Sequence, residues 1–480
     1  MTLGLRILGA GSNSNGQLGI GNEIDQAEFK ELRFPTDYLR KKLSSYTLNE
    51  PDFGFEDPGW TVVSFGSGGR HSIFLIEFNL KISSSSISFR SLFGCGDSAQ
   101  FQLGLGSRTP VESFSTYGGD NQEDYPKNCQ SLLEIDHRHL VQNIQNIDEG
   151  LREAFLKNYQ PKQVICCWET SFVVLAGRAH HQDQEDPQDD YIISFGSDDF
   201  GLRGCNLPLE DLSRPSLVSL PSSPDQLKPK RGQRNVKLFS SVKHVVAILE
   251  YVSSNEDQDN LVELVGWGAT RQGQLGPMSS SSKPPRAISP RKLQLPTSAP
   301  VNSSLINIAL GKEHTIISFP NKIWSWGNNR KNQISSELQN LDPNQIIKIE
   351  SCWNSSFVLI NDQKLGTDRY LLIGFGDNSQ SQLGVEDLSL SKAQHLFQSS
   401  NSFQFCTGSE HVLLSDGRQT VWGWGWNEHG NLGGYGEPYE LKTNRQVQVL
   451  FKLDGEREFV SNVFAGCATS FIVCRKRQVE

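Results

Sequence analysis

Residues Trp422 to Gly433 read WGWGWNEHGNLG. The core of this stretch is a glycine, Gly425, followed eight residues later by a second glycine, Gly433. Six other stretches keep that spacing: Gly11–Gly19 (GSNSNGQLG), Gly96–Gly104 (GDSAQFQLG), Gly196–Gly204 (GSDDFGLRG), Gly268–Gly276 (GATRQGQLG), Gly327–Ser335 (GNNRKNQIS) and Gly376–Gly384 (GDNSQSQLG). Seven registered copies of one unit mark a repeat architecture before any single residue is interpreted.

Each copy reads as the end of a strand, a tight turn and a locked return. Aromatic residues precede the anchor glycine (Phe93, Phe195, Trp267, Trp326, Phe375, Trp424) and suit a half-buried pleated surface. Gly or Asn stands five residues after the anchor in five copies (Gly16, Gly201, Gly273, Asn332, Gly430), where a turn needs positive φ. Phe101 and Ser381 depart from that rule, which predicts a different turn in those two copies. Gln17, Gln102, Gln274, Gln333 and Gln382 come next, and a side-chain amide there can satisfy backbone groups that a turn leaves unpaired. Leu or Ile follows in six copies and can plug the core beneath.

A second unit, a short turn leading into an apolar strand, alternates with the first. Its copies are GGRHSIFLIE (68–77), CWETSFVVLA (167–176), VKHVVAILE (242–250), GKEHTIISF (311–319), CWNSSFVLI (352–360), GSEHVLLSD (408–416) and GCATSFIVC (466–474). His71, His244, His314 and His411 share one place in this unit, taken elsewhere by Thr170, Ser355 and Thr469. A His or Thr recurring before a strand is expected to be a structural hydrogen-bonder and not a ligand. The first-type unit opens the chain and the second-type unit, 463–474, closes it. The two ends complement each other, so the chain is expected to be all-β: a single seven-bladed β-propeller over 1–480, closed by pairing of the N- and C-terminal strands. Closure removes the exposed edges of an open array.

Anchor spacings of 85, 100, 72, 59, 49 and 49 residues place insertions in the first half. They fall at about 20–60, 105–160, 178–190, 205–235 and 277–300. Within the second, Leu140, Ile144, Ile147, Leu151 and Phe155 share one helical face, which predicts a helix packed as a decoration on a blade. His180 to Asp190 (HHQDQEDPQDD) reads as an acidic hairpin tip; paired histidines beside carboxylates can hold a metal, but a solvated loop is the expectation. Residues 205–235 and 277–300, rich in Ser, Pro and basic residues, read as disordered loops, with Ser289 before Pro290 a weak phosphorylation motif.

The 480 residues carry a formal net charge of −9, a poor match to generic nucleic-acid binding. Nine scattered cysteines without a CxxC exclude a zinc knuckle or a disulfide framework and point to a reducing compartment. No secretory signal and no bilayer-length apolar run is evident. The expected location is the cytoplasm, with the nucleus second, and no membrane or direct nucleic-acid contact is expected. No nucleophile elbow, HExxH or Walker ending is present, so no enzyme activity, cofactor or metal is expected.

The GQLG-type turns and GxxHS-type turns resemble the regulator of chromosome condensation family of seven-bladed propellers, from Leu8 to Cys474. TGSEH (407–411), WGWGWNEHGNLG (422–433), FAGCATSFIV (464–473) and CCWETSFVV (166–174) resemble its fungal alpha-tubulin suppressor, or killer-toxin-insensitivity, branch. That resemblance implies a heterodimer with the small CSL-zinc-finger protein of diphthamide synthesis. It further implies support for Elongator-dependent modification of tRNA wobble uridines and for diphthamide formation on elongation factor 2, with the Elongator complex a further partner.

The expected function is therefore a non-enzymatic interaction scaffold. Its expected partner-binding residues are Trp168, Trp353, Glu410, His411, Trp424, Trp426, Glu428 and His429, since tryptophan is favoured at interface centres. For each individual tryptophan a structural place comes first, with Trp422 and Trp424 alternating into a blade core and Trp426 capping a turn. The alternative is a guanine-nucleotide exchange factor for a Ran-like GTPase. A chromatin-bound exchanger is expected to carry a basic tail for phosphate contacts, whereas the C-terminal basic run here is only RKR.

Overall fold

The computed structural model describes residues 6–35, 38, 42, 59–82, 85–105, 128–178, 189–205, 211–221, 231–253, 260–277, 286–294, 303–361, 369–399, 403–434, 443–455 and 457–477. They form seven antiparallel sheets arranged as a β-propeller. The first blade is the expected closure. Its third and outer strands, Arg6–Gly11 and Gln26–Glu31, come from the N-terminus; its innermost and second strands, Glu458–Ala465 and Thr469–Lys476, come from the C-terminus. Arg6–Gly11 pairs with Thr469–Lys476 without a register shift, from Arg6 opposite Cys474 to Gly11 opposite Thr469.

Innermost strands of the next six blades are Gly59–Ser67, Tyr159–Cys166, Arg231–Ser240, Asn307–Leu310, Ile346–Ser351 and Gln404–Thr407. Each touches the next around the ring, and Glu458–Ala465 returns to Gly59–Ser67. They surround a central cavity of about 660 Å³ lined by residues that include Phe65, Lys237, Lys348, Glu350 and Phe464. The second strands are the most buried elements: His314–Phe319 and Ser355–Ile360 are buried at every position. Apolar clusters lie between neighbouring blades, as where Phe172 and Val174 of the third meet Trp267 and Val245 of the fourth. Each such side chain contributes roughly 1.5–3 kcal/mol by leaving water.

The anchor glycine has one physical reason in all seven copies. Its φ lies between 100° and 117°, and a Cβ would come within 2.5 Å of the carbonyl oxygen preceding the His or Thr of the second unit. That carbonyl accepts the N–H of the residue after the anchor, at 2.8–3.0 Å in every blade, from Ser12 onto Ala468 to Trp426 onto Glu410. The two sequence units are thus two halves of one knot. The turn glutamines act as expected: Gln17, Gln102, Gln274, Gln333 and Gln382 each accept the backbone N–H two residues earlier, at 2.8–3.0 Å.

Phe101 and Ser381 correct the sequence reading. Both take φ near 60°, like the glycines and the asparagine in the other copies, so those turns do not differ. The surrounding hydrogen bonds impose the left-handed conformation whatever side chain is present. A difference appears instead in the fifth blade, where Ser335 replaces the terminal glycine. Its φ is −51° and it caps a 3₁₀ helix, Ser336–Asn340, and no outer strand follows among the described residues.

The insertions also differ from expectation. Outer strands Gln26–Glu31, Asn128–Ile135, Ser216–Leu217 and Arg286–Lys292 all fall inside segments read as insertions or disordered loops. Such strands lie at the blade edge and carry mixed polar sequences that hide their periodicity. The predicted helix is two helices, α1 (His137–Gln142) and α2 (Glu149–Asn158), capped by Asp136 and Asp148. Leu140, Ile144 and Phe155 are buried between the second and third blades, with Ile147 and Leu151 against the same cluster, so the decoration reading holds. Gln145 and Asn146, between the helices, bond residues 211–217. The pair His180 and His181 lies outside the described residues. Among the described residues no group of three or more His, Cys, Asp or Glu could hold a metal, and no helix is long and apolar enough to cross a membrane.

Candidate functional site

Both repeated turns leave the strands at the same end of the blades, because one joins the first strand to the second and the other joins the third to the fourth. One face of the ring therefore carries both.

The second-unit histidines are built into this face from below. His71, His244, His314 and His411 are fully buried. Each Nε2 meets a hydroxyl on the next blade: Ser171 at 2.8 Å, Thr315 at 2.9 Å, Ser356 at 2.8 Å and Ser470 at 3.0 Å. Ser171 donates its own proton to the Gln102 carbonyl at 2.7 Å, so His71 Nε2 is the donor in its bond. Gly68, Gly311 and Gly408, three residues before a histidine, leave room for the ring: a Cβ would sit 2.0–2.3 Å from the imidazole Cε1. In the fourth blade Ser241 takes that place and its hydroxyl meets His244 Nδ1 at 2.8 Å. Burial lowers the imidazoles to about 3 in His71, His244 and His314 and about 4 in His411, keeping them neutral blade-to-blade latches.

Above the latches, the turn backbones hydrogen-bond around the cavity mouth. Gly69 donates to Trp168, Trp168 to Val242, Lys312 to Trp353, Trp353 to Ser409 and Ser409 to Gly466. This curvature brings together Trp168 of the third blade and Trp353 of the sixth, their ring centroids 6.3 Å apart and tilted by 54°. The Trp168 ring lies over Gly69, where a Cβ would come within 2.9 Å of it. Lys312 Nζ sits 4.9 Å from the Trp353 ring centroid, a cation–π contact. Both indoles are half-buried.

The remaining predicted residues divide. Trp426, Glu428 and His429 form a second cluster, on the first-type turn of the seventh blade. Trp426 Nε1 donates to Glu428 at 3.3 Å, the Trp426 and His429 rings meet edge-to-face at 5.3 Å, and His429 Nδ1 lies 2.7 Å from Asp25 of the first blade. Glu410 is half-buried; burial first, and then Asp377, push its carboxyl above the usual range against the pull of Lys312 and Lys331. Trp424 and His411 offer no surface. Trp424 is fully buried with Nε1 donating to the Gln382 carbonyl at 3.0 Å, and His411 is a latch. These two belong to the fold and leave the predicted set; Trp422 packs against the same core cluster.

Sequence reasoning missed the charged ring. Arg70 lies 3.5 Å from both Asp97 and Glu169, Lys243 lies 3.4 Å from Glu313, and Lys331 lies 3.4 Å from Asp377. Most of these pairs cross a blade boundary. Part of the signal was present in the residue just before the His, Thr or Ser in five of the seven copies: Arg70, Glu169, Lys243, Glu313 and Glu410. Phe200 was missed too. It is 40% exposed and lines a cavity of about 270 Å³ with Trp168, Trp353, Lys243 and Lys312. All nine cysteines are free, and burial raises every thiol.

No protein-family model matches the chain. Solved structures do. Yeast RCC1 (Prp20), solved bound to Kap60, superposes with a TM-score of 0.60 over 99% of this chain and 89% of its own, at 16% identity. The fold is that of an RCC1-like propeller. Prp20p of Saccharomyces cerevisiae, described with its binding to Gsp1p and histones, gives 0.59 at 15% identity over 99% and 92% of the two chains. Human WBSCR16 gives 0.56 at 12% identity over 99% and 100%. In sequence, 126 residues are 28% identical to Protein RCC2 of Mus musculus and 29% to the Protein RCC2 homolog of Xenopus laevis. The match takes in 25% of this chain and only 24% of each of those proteins.

Proposed function

We propose that this protein is a non-enzymatic interaction scaffold that binds a small CSL-zinc-finger metalloprotein and thereby supports Elongator-dependent wobble-uridine modification and diphthamide formation. The observation that carries the binding role is the pairing of Trp168 with Trp353 across the cavity mouth, under Lys312 and flanked by a charged ring. Half-exposed tryptophans at the centre of a rigid face, rimmed by ion pairs, have the composition of an interface centre. The latches and knotted turns beneath hold that face in shape, so little ordering cost falls on association. The choice of partner rests on the motifs at 166–174, 407–411, 422–433 and 464–473.

The experiment is a pull-down of the purified chain against the small CSL-zinc-finger protein and, in parallel, a Ran-type GTPase. Stable capture of the first alone supports the scaffold. Capture of the GTPase with accelerated nucleotide release makes the protein an exchange factor instead.

A further inference from the structure

Phe200 holds a conformation that its six counterparts avoid. It stands four residues after the anchor, where the other turns carry Asn15, Gln100, Gln272, Lys331, Gln380 and His429. Only Phe200 among these has positive φ, at 62° with ψ 10°, and Gly201 beside it is also left-handed at 73°. A bulky side chain is strained in that region. The result is an aromatic ring raised to 40% exposure. It separates two cavities, one of about 270 Å³ against Trp168 and Trp353 and one of about 450 Å³ against Arg271, Gln272 and Arg286.

The smaller cavity has three aromatic walls and two lysines. Lys243 Nζ lies 5.6 Å from the Phe200 ring and is paired with Glu313 at 3.4 Å. Lys312 makes no ion pair among the described residues; its ammonium rests over Trp353. Two carboxylates share the wall: Glu169, already engaged by Arg70 at 3.5 Å, and Asp199, which is exposed. Of the two lysines on this wall, Lys312 is therefore the one open to a direct acidic partner.

We propose that this cavity is the anchor pocket of the interaction face. It takes one apolar side chain of leucine, methionine or phenylalanine size from an extended protein segment, and an acidic residue next to that side chain pairs with Lys312. Phe200 is the specificity-determining wall, its backbone strain offset by the fit. The pocket deepens the scaffold reading but does not depend on which partner carries the segment.

The test is selection of a random peptide library on the immobilised full chain, run in parallel on Phe200→Gly and Lys312→Glu. Phe200→Gly should melt no lower than wild type, because glycine relieves the strain. Wild type should enrich peptides with an apolar residue beside Asp or Glu, Phe200→Gly should lose about tenfold or more in affinity for them, and Lys312→Glu should lose the acidic preference. No such enrichment, or equal affinity on Phe200→Gly, overturns the pocket. The selected peptide is then used to compete the CSL-zinc-finger protein. Selection without binding of that protein keeps the pocket and removes the partner; binding of that protein with no selected motif does the reverse.

Discussion

His314 Nε2 of the fifth blade meets the Ser356 hydroxyl of the sixth across the blade boundary at 2.8 Å, with both residues fully buried. Three further pairs repeat the arrangement, His71 with Ser171, His244 with Thr315 and His411 with Ser470. The latch adds a buried hydrogen bond to the apolar and polar contacts between neighbouring sheets, and it lies beneath the turns that carry the interaction face.

Replacing His314 with Ala should therefore cost more than its buried area. The change leaves the Ser356 hydroxyl without this partner inside the ring and opens a void, a loss of about 2–4 kcal/mol. Denaturant titration of the variant should show an earlier midpoint with an unchanged slope. A midpoint within error of wild type would remove the latch from the account.

The same histidines set an acid limit. Their ordinary value is 6.5, lowered to about 3 or 4 in the folded chain by burial. Between those values the unfolded chain binds protons that the folded chain refuses. Stability is thus complete above about pH 6.5 and is lost as pH falls towards 4, with a slope of up to about 1.4 kcal/mol per pH unit for each histidine. Unfolding midpoints measured from pH 7.5 down to pH 4.5 should fall steadily, and His71→Asn should flatten the curve. A level profile across that range would contradict buried neutral imidazoles.

Phe101 and Ser381 occupy turns at φ 61° and 59°. Glycine accepts that conformation without strain, so Ser381→Gly should raise stability by about 0.5–1 kcal/mol. Gly327→Ala should do the opposite, because its φ is 109° and the new Cβ would lie 2.3 Å from the Glu313 carbonyl oxygen. Melting temperatures of the two variants should move in opposite directions; movement in the same direction would refute the strain argument.

These residues also show what the sequence could carry. Glycine spacing exposed all seven blades and the closure, because the knot between the anchor and the facing carbonyl needs glycine in every copy. The occupant of the left-handed position was less legible, since the hydrogen bonds around it, and not its side chain, impose the conformation. Polar outer strands such as Gln26–Glu31 hid within segments read as insertions. At the site, Trp168 and Trp353 were legible as candidates, but their meeting was not: it depends on the curvature of a closed ring, which brings the third and sixth blades together at the mouth. The burial of Trp424 and His411 likewise depends on neighbouring blades.

At the rim, Trp426 and His429 form a cluster with Glu428 and Asp25. The double variant Trp426→Ala with His429→Ala should stay folded and weaken partner binding by about fivefold or less, as truncation at an interface edge does. Calorimetric titration with the CSL-zinc-finger protein measures this; unchanged affinity would confine the interface to the cavity mouth.

The most direct test is titration of the small CSL-zinc-finger protein into wild type and into Trp168→Ala with Trp353→Ala, with melting temperatures recorded for both. Binding to wild type, weakened about a hundredfold or more in a double variant that remains folded, is the predicted result. No binding to wild type, or equal affinity for the double variant, would contradict the assignment of the paired tryptophans as the centre of the partner site.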